Sequence, residues 1–156
     1  MGRGENLPAD STLDLISDKP NRWNLEGEPT IYVSGDAGLA LVECGRHAGD
    51  LDEAVRLFEI DLRIPRALDL RDGETRAALS LPGDLHWILH RERTQEVGHS
   101  LRRSGRCDAL IVPSAGALDG LERRNIVLFA DDRERVPDLV ANLRLIGEVR
   151  PTSVGA

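Results

Sequence analysis

Up to Leu70 the apolar positions come in short runs, several with the two-residue alternation of half-buried strands. Thr30–Val33 is β-branched and follows the turn-forming stretch Asn24 to Pro29; Val55–Leu62 alternates apolar with charged residues, and Ala67–Leu70 reads as a further strand or its extension. Leu13-Asp14-Leu15-Ile16 suggests an earlier strand, and Ser34 or Asp36 can cap a helix running to about Ala48. From Gly73 to Gly105 the spacing turns helical, with Pro82-Gly83 as an interruption, so two or three short helices are expected in place of one long one. Ala109–Val112 is a continuous apolar run suited to a strand covered on both faces, and Ile126–Phe129 is its expected partner. Pro137–Ile146 reads as a final helix or extended segment. Short strands with helices grouped mid-chain predict an α+β fold, a single compact domain with mixed or antiparallel sheets.

The length of 156 residues suits one such domain, expected over residues 13–148, with a polar, poorly ordered start at 1–12 and a tail at 149–156. Apolar residues at 40% and charged residues at 30% argue against wholesale disorder. The aromatics are Trp23, Tyr32, Phe58, Trp87 and Phe129, so branched aliphatics must fill most of the core. A net charge of -7 argues against a nucleic-acid-binding surface and suits a basic protein partner. Lys19 is the sole lysine among abundant arginines, a bias of composition or a provision for anionic ligands. Cys44 and Cys107 have neither metal spacing nor a disulfide framework. With no long apolar run and no signal-peptide pattern at the start, a cytoplasmic protein is expected, without a membrane segment.

A helix from Asp36 to Ala48 places Glu43 beside Leu39, Ala40 and His47. A carboxylate there either pairs locally with His47 or Arg46, or lines a cleft for which Arg22 supplies a matching cation. Ser114 closes the run Leu110-Ile111-Val112-Pro113, as a turn serine or as a hydroxyl reaching into a cleft; no Gly-x-Ser-x-Gly elbow surrounds it. His86 and His90 have an i, i+4 spacing but no third ligand, so no metal site is expected. Residues 91–106 hold five arginines against Glu92 and Glu96, a solvated helix face or a contact for an acidic partner or phosphate. Neither a Walker nor a Rossmann glycine loop occurs.

In order along the chain, these pieces resemble the RES domain. Arg22-Trp23-Asn24, Gly27, Tyr32 and Ala40-Leu41-Val42-Glu43 are similar to its opening pattern. Thr94-Gln95-Glu96-Val97-Gly98 leading to Ser104-Gly105 resembles the middle, and Val112-Pro113-Ser114 with Arg124-Asn125-Ile126-Val127-Leu128-Phe129 the close. Pro20-Asn21 stands where the family commonly has Gly-Gly, so a stiffer backbone is expected before Arg22. The resemblance implies an ADP-ribosyltransferase-like fold and a toxin that breaks the nicotinamide–ribose bond of NAD. The ADP-ribose then passes to water, phosphate or a protein. It implies Arg22, Glu43 and Ser114 as catalytic residues, and Tyr32, Trp23 and Asn125 as substrate contacts. NAD would be a substrate, with no cofactor, and a cognate helix-turn-helix antitoxin would be the partner. The competing expectation is a non-catalytic nucleotide-binding or interaction module on the same fold.

Overall fold

The structure, a computed structural model, describes residues 5–35, 55–114 and 124–149. The helix expected up to Ala48, and Glu43 and Cys44 with it, lies outside the described residues. Backbone contacts divide the chain into two units, one of residues 16–36 and 64–131, the other of residues 1–15, 37–63 and 132–156. The elements are α+β, as their spacing in the sequence predicts.

The larger unit is built on a sheet of β1 (Thr30–Ser34), β3 (Ala67–Asp69), β4 (Ala109–Pro113) and β5 (Arg124–Phe129), in the order β1-β5-β4-β3. β3 runs parallel to β4, and the other pairs are antiparallel. The apolar run therefore takes an inner position, with Ala109 and Leu110 fully buried and Val112 nearly so. Tyr32 and Leu110 both pair with Val127, and Leu110 pairs with Leu68, so these residues form one row across a single face of the sheet. That face carries a core in which Trp23, Trp87, Ile88 and Leu101 meet Val112 and Phe129. Branched aliphatics supply most of it, but both tryptophans join, their rings 5.8 Å apart and edge to face.

The helical region is interrupted as its Pro82-Gly83 step predicts. α1 (Gly73–Ala78) is capped by the Asp72 carboxylate on the Thr75 N–H, and a 3-10 turn, His86–Leu89, leads into α2 (Arg91–Ser104). α2 ends at Gly105, whose φ of 68° is the left-handed stop that glycine adopts without strain. His90 is the N-cap of α2 and His86 lies in the preceding 3-10 turn, so the helical spacing that could have joined them on one face does not apply.

In the smaller unit, β2 (Val55–Leu62) pairs antiparallel with β6 (Val140–Val149), with bulges at Leu57/Phe58 and Glu59/Asp61. The terminal segment expected as helix or strand is both: a single turn, α3 (Val136–Leu139), with Pro137 in its first turn, followed by β6. One expectation is corrected. Leu13–Ile16 does not form a strand, because Ala9–Leu15 is a 3-10 helix. Within that helix Thr12 is 2% exposed. In the stretch expected to be loose, the Leu7 N–H donates to the Leu143 carbonyl at 2.8 Å.

Candidate functional site

Asn21 and Asn24 exchange backbone hydrogen bonds of 3.2 and 3.3 Å, leaving Arg22 and Trp23 at the tip of a tight turn. The two tip residues part company. Trp23 is 2% exposed and packs on Trp87, whereas Arg22 is half-buried. Trp23, expected to touch substrate, is thus a core side chain whose packing anchors the turn. No residue from Pro20 to Asn24 has positive φ, so the turn uses no conformation that would require the Gly-Gly of the family pattern.

Side chains of the turn itself and of distant residues satisfy its main chain. The Asn21 side-chain oxygen accepts from the Arg22 N–H at 2.8 Å, and the Thr94 hydroxyl donates to the Arg22 carbonyl. Tyr32 accepts from the Trp23 N–H at 3.0 Å and donates to the Asn24 side-chain oxygen at 2.6 Å. The Asn24 amide, wholly buried, donates to the carbonyls of Lys19, Leu25 and Glu28, and Gln95 donates to those of Asn21 and Asn24. Buried polar groups so fully matched specify a unique geometry. At its outer end, Arg22 donates from Nη1 to the Ile88 carbonyl at 2.8 Å.

α2 runs alongside the whole of this segment. Arg91 donates to the Pro20 carbonyl, Gly98 lies against the Trp23 carbonyl, His99 pairs with Glu28 at 2.8 Å, and Arg102 donates to the Pro29 carbonyl and Thr30 hydroxyl. Burial alone would raise the pKa of Glu28, but the Leu25 N–H, His99 and Arg102 outweigh it and hold the carboxyl below its usual value. The arginine-rich stretch is accordingly not a uniform solvated face. The Arg102 side chain is 6% exposed and lies 4.6 Å above the Phe129 ring, while Arg93, Arg103 and Arg106 are exposed.

The remaining candidates gather at one end of the sheet. Asn125 pairs with Ser34 on one side and Val112 on the other, one row beyond the row of Tyr32 on the same face. Ser114 follows β4 directly and is fully buried, so it is no ordinary exposed turn serine. The structure thus brings together Arg22, Tyr32 and Trp23 at the turn, and Asn125 and Ser114 at the strand ends. Glu43 lies outside the described residues. Asn24, Glu28, Thr94, Gln95 and Gly98 were not foreseen as parts of the site. All but Glu28 stand in the family pattern, and a glycine and a threonine inside a helical pattern, both weak helix formers, were a further signal. A cavity of about 660 Å³ between α1 and α2, lined by Leu79, Leu81, Arg93, Val97, Ser100 and Arg106 among others, contains none of the candidate residues.

Burial pushes the Tyr32 hydroxyl up to about 12, the Trp23 N–H and nearby arginines opposing only in part. A pKa raised above the unfolded value near 10 favours the neutral native form, so its contribution is full below pH ~10 and is lost between about 10 and 12. As Tyr32 is the only tyrosine, alkaline titration of tyrosinate absorbance reads it alone. The expected result is ionisation near 12 or coincident with unfolding; a midpoint near 10 in the folded chain would contradict the buried hydroxyl.

Among the described residues no helix is long and apolar enough to cross a membrane. The chain is 32% identical over 96 residues to a protein named Toxin Res from Photorhabdus laumondii subsp. laumondii, a match over 60% of this chain and 58% of that protein. The chain thus spans little more than half the length of that relative. The profile of the RES domain matches residues 10–147, from the first 3-10 helix to β6, and the chain belongs to the RES domain family.

Proposed function

We propose that this chain is a RES-type toxin that consumes NAD by cleaving the nicotinamide–ribose bond, and that a cognate helix-turn-helix antitoxin neutralises it in the cytoplasm. The observation that carries the reading is the Arg22 turn: a cation held by main-chain and side-chain hydrogen bonds at the start of the family's pattern. An arginine so fixed is suited to hold a phosphate or ribose oxygen.

In the proposed reaction the bond from ribose C1′ to the pyridinium nitrogen breaks, and its electron pair leaves with neutral nicotinamide. The ribose acquires oxocarbenium character, which a nearby carboxylate stabilises, and the oxygen of water, phosphate or a protein group then bonds to C1′. Glu43 is assigned that carboxylate and also holds a ribose hydroxyl or orients the acceptor. Ser114 and Asn125 are assigned hydrogen bonds to the substrate from the sheet end. Tyr32 is assigned a flat surface for nicotinamide, its hydroxyl being engaged with Trp23 and Asn24. The chemistry calls for no metal, and NAD is spent as a substrate. An ADP-ribosyltransferase-like arrangement of the sheets belongs to the same proposal.

The test is release of nicotinamide from NAD by the purified chain freed of any partner, with water, phosphate and lysate proteins offered as acceptors. Release is expected. NAD binding without release under all three conditions would leave only a nucleotide-binding module.

A further inference from the structure

We propose that Thr94 and Gln95 of α2 are positioning residues that fix Arg22 for substrate, an inference that rests on the NAD-cleaving reading above. A helix packed merely to complete a core would present apolar side chains to its neighbour. Instead Thr94, fully buried, places its hydroxyl between the Arg22 carbonyl and, at 3.0 Å, the Arg91 carbonyl of its own helix, and valine would fill the same space without either bond. One turn of α2 covers the rest of the tip: Gln95 Nε2 lies 2.9 Å from the Asn21 carbonyl and 3.2 Å from that of Asn24. Gln95 therefore holds the carbonyls on both sides of the Arg22–Trp23 tip, and its neighbour Thr94 holds the Arg22 carbonyl within it.

The other end of Arg22 is held by the same piece of chain. Its guanidinium donates to the carbonyl of Ile88, in the 3-10 turn that runs into α2 through His90, and Ile88 itself is fully buried. Residues 86–95 thus grip the backbone behind Arg22 and the tip of its side chain together. A cation with both ends fixed to one rigid element keeps its angle to a ligand, whereas a displacement of about 1 Å is enough to lower a rate roughly 100-fold.

The test uses Thr94→Val and Gln95→Leu, with Thr94→Ser as the conservative control, in the full chain. Amide hydrogen exchange at Arg22 to Asn24 is expected to quicken about 10-fold or more in Thr94→Val and Gln95→Leu and to return in Thr94→Ser, with β4 and β5 unchanged. Unaltered exchange in the turn overturns the proposal. In nicotinamide release, Thr94→Val is expected to lower kcat/KM about 10-fold or more, and to add less than about 2-fold once Arg22→Lys is present. An equal loss in both backgrounds would mean that Thr94 does not act through Arg22, and would also overturn it. Should the wild-type chain release no nicotinamide, the NAD reading fails by itself, and the exchange measurement still decides whether Thr94 and Gln95 fix the turn.

Discussion

Gly98→Ala is expected to destabilise the protein by about 3 kcal/mol and to lower its Tm by roughly 10 °C, although alanine is the better helix former. Two effects compete. In an open helix interior, alanine in place of glycine gains about 1 kcal/mol. At Gly98 an added Cβ would stand 2.0 Å from the Trp23 carbonyl oxygen and 2.9 Å from its carbon, both main-chain atoms. Relief requires a backbone movement of about 1 Å or more, because close-packed interiors do not yield by small compression. Neither side is free to move: α2 is tied to the turn through Thr94 and Gln95, and the turn is anchored by Trp23 in the core. Overpacking therefore outweighs propensity. Gly83→Ala is the matched control, since nothing lies within 4 Å of its added Cβ, and it should move Tm little. Thermal unfolding followed by fluorescence of the two buried tryptophans reads both variants, and an unchanged or raised Tm for Gly98→Ala would count against the close approach.

For the chemistry, Glu43→Gln is expected to reduce kcat for nicotinamide release by about 1,000-fold with a far smaller change in KM. Glutamine keeps the size and one hydrogen-bonding oxygen of the side chain while removing the charge. The loss should therefore fall on the step in which ribose becomes positive. Arg22→Ala should differ in kind. Removing a cation proposed to hold a phosphate or ribose oxygen in the ground state and transition state alike is expected to raise KM at least about 10-fold as well as lower kcat. Steady-state kinetics on the two purified variants separates the roles. A Glu43→Gln enzyme within about 10-fold of wild type would remove that residue from the proposed mechanism.

Elements whose signal is local were legible in the sequence. Val55–Leu62 shows its alternation within its own length, Ala109–Val112 its continuous apolar run, and Pro82-Gly83 its break between helices. Leu13–Ile16 misled because a short apolar pattern fits a 3-10 turn as well as a strand. The family's residue types were legible in order along the chain, and where the fold puts them was less so. Trp23 and Tyr32 stand in the family's pattern beside Arg22, yet the fold places one in the core and engages the hydroxyl of the other in holding the turn. Trp23 owes its burial to partners such as Trp87, some sixty residues further on, and spacing near Arg22 cannot encode that. Thr94 and Gln95 stand in the family's middle pattern, yet what they do is not visible until their carbonyl partners are known.

The bonds between α2 and the segment from Pro20 to Thr30 share a property visible only when their spans along the chain are compared. Those made by Arg91, Thr94, Gln95, His99 and Arg102 to that segment all join residues 71 to 74 positions apart. The helix and the segment therefore advance in step, in the same direction. Closing the long intervening loop carries its entropic cost once, and each further bond of the series forms at little additional cost. The series should consequently form and break as a unit late in folding, like a zipper with a single expensive first tooth. An insertion or deletion between Pro20 and Thr30 would throw all the later teeth out of register, whereas the same change beyond either end would leave them aligned.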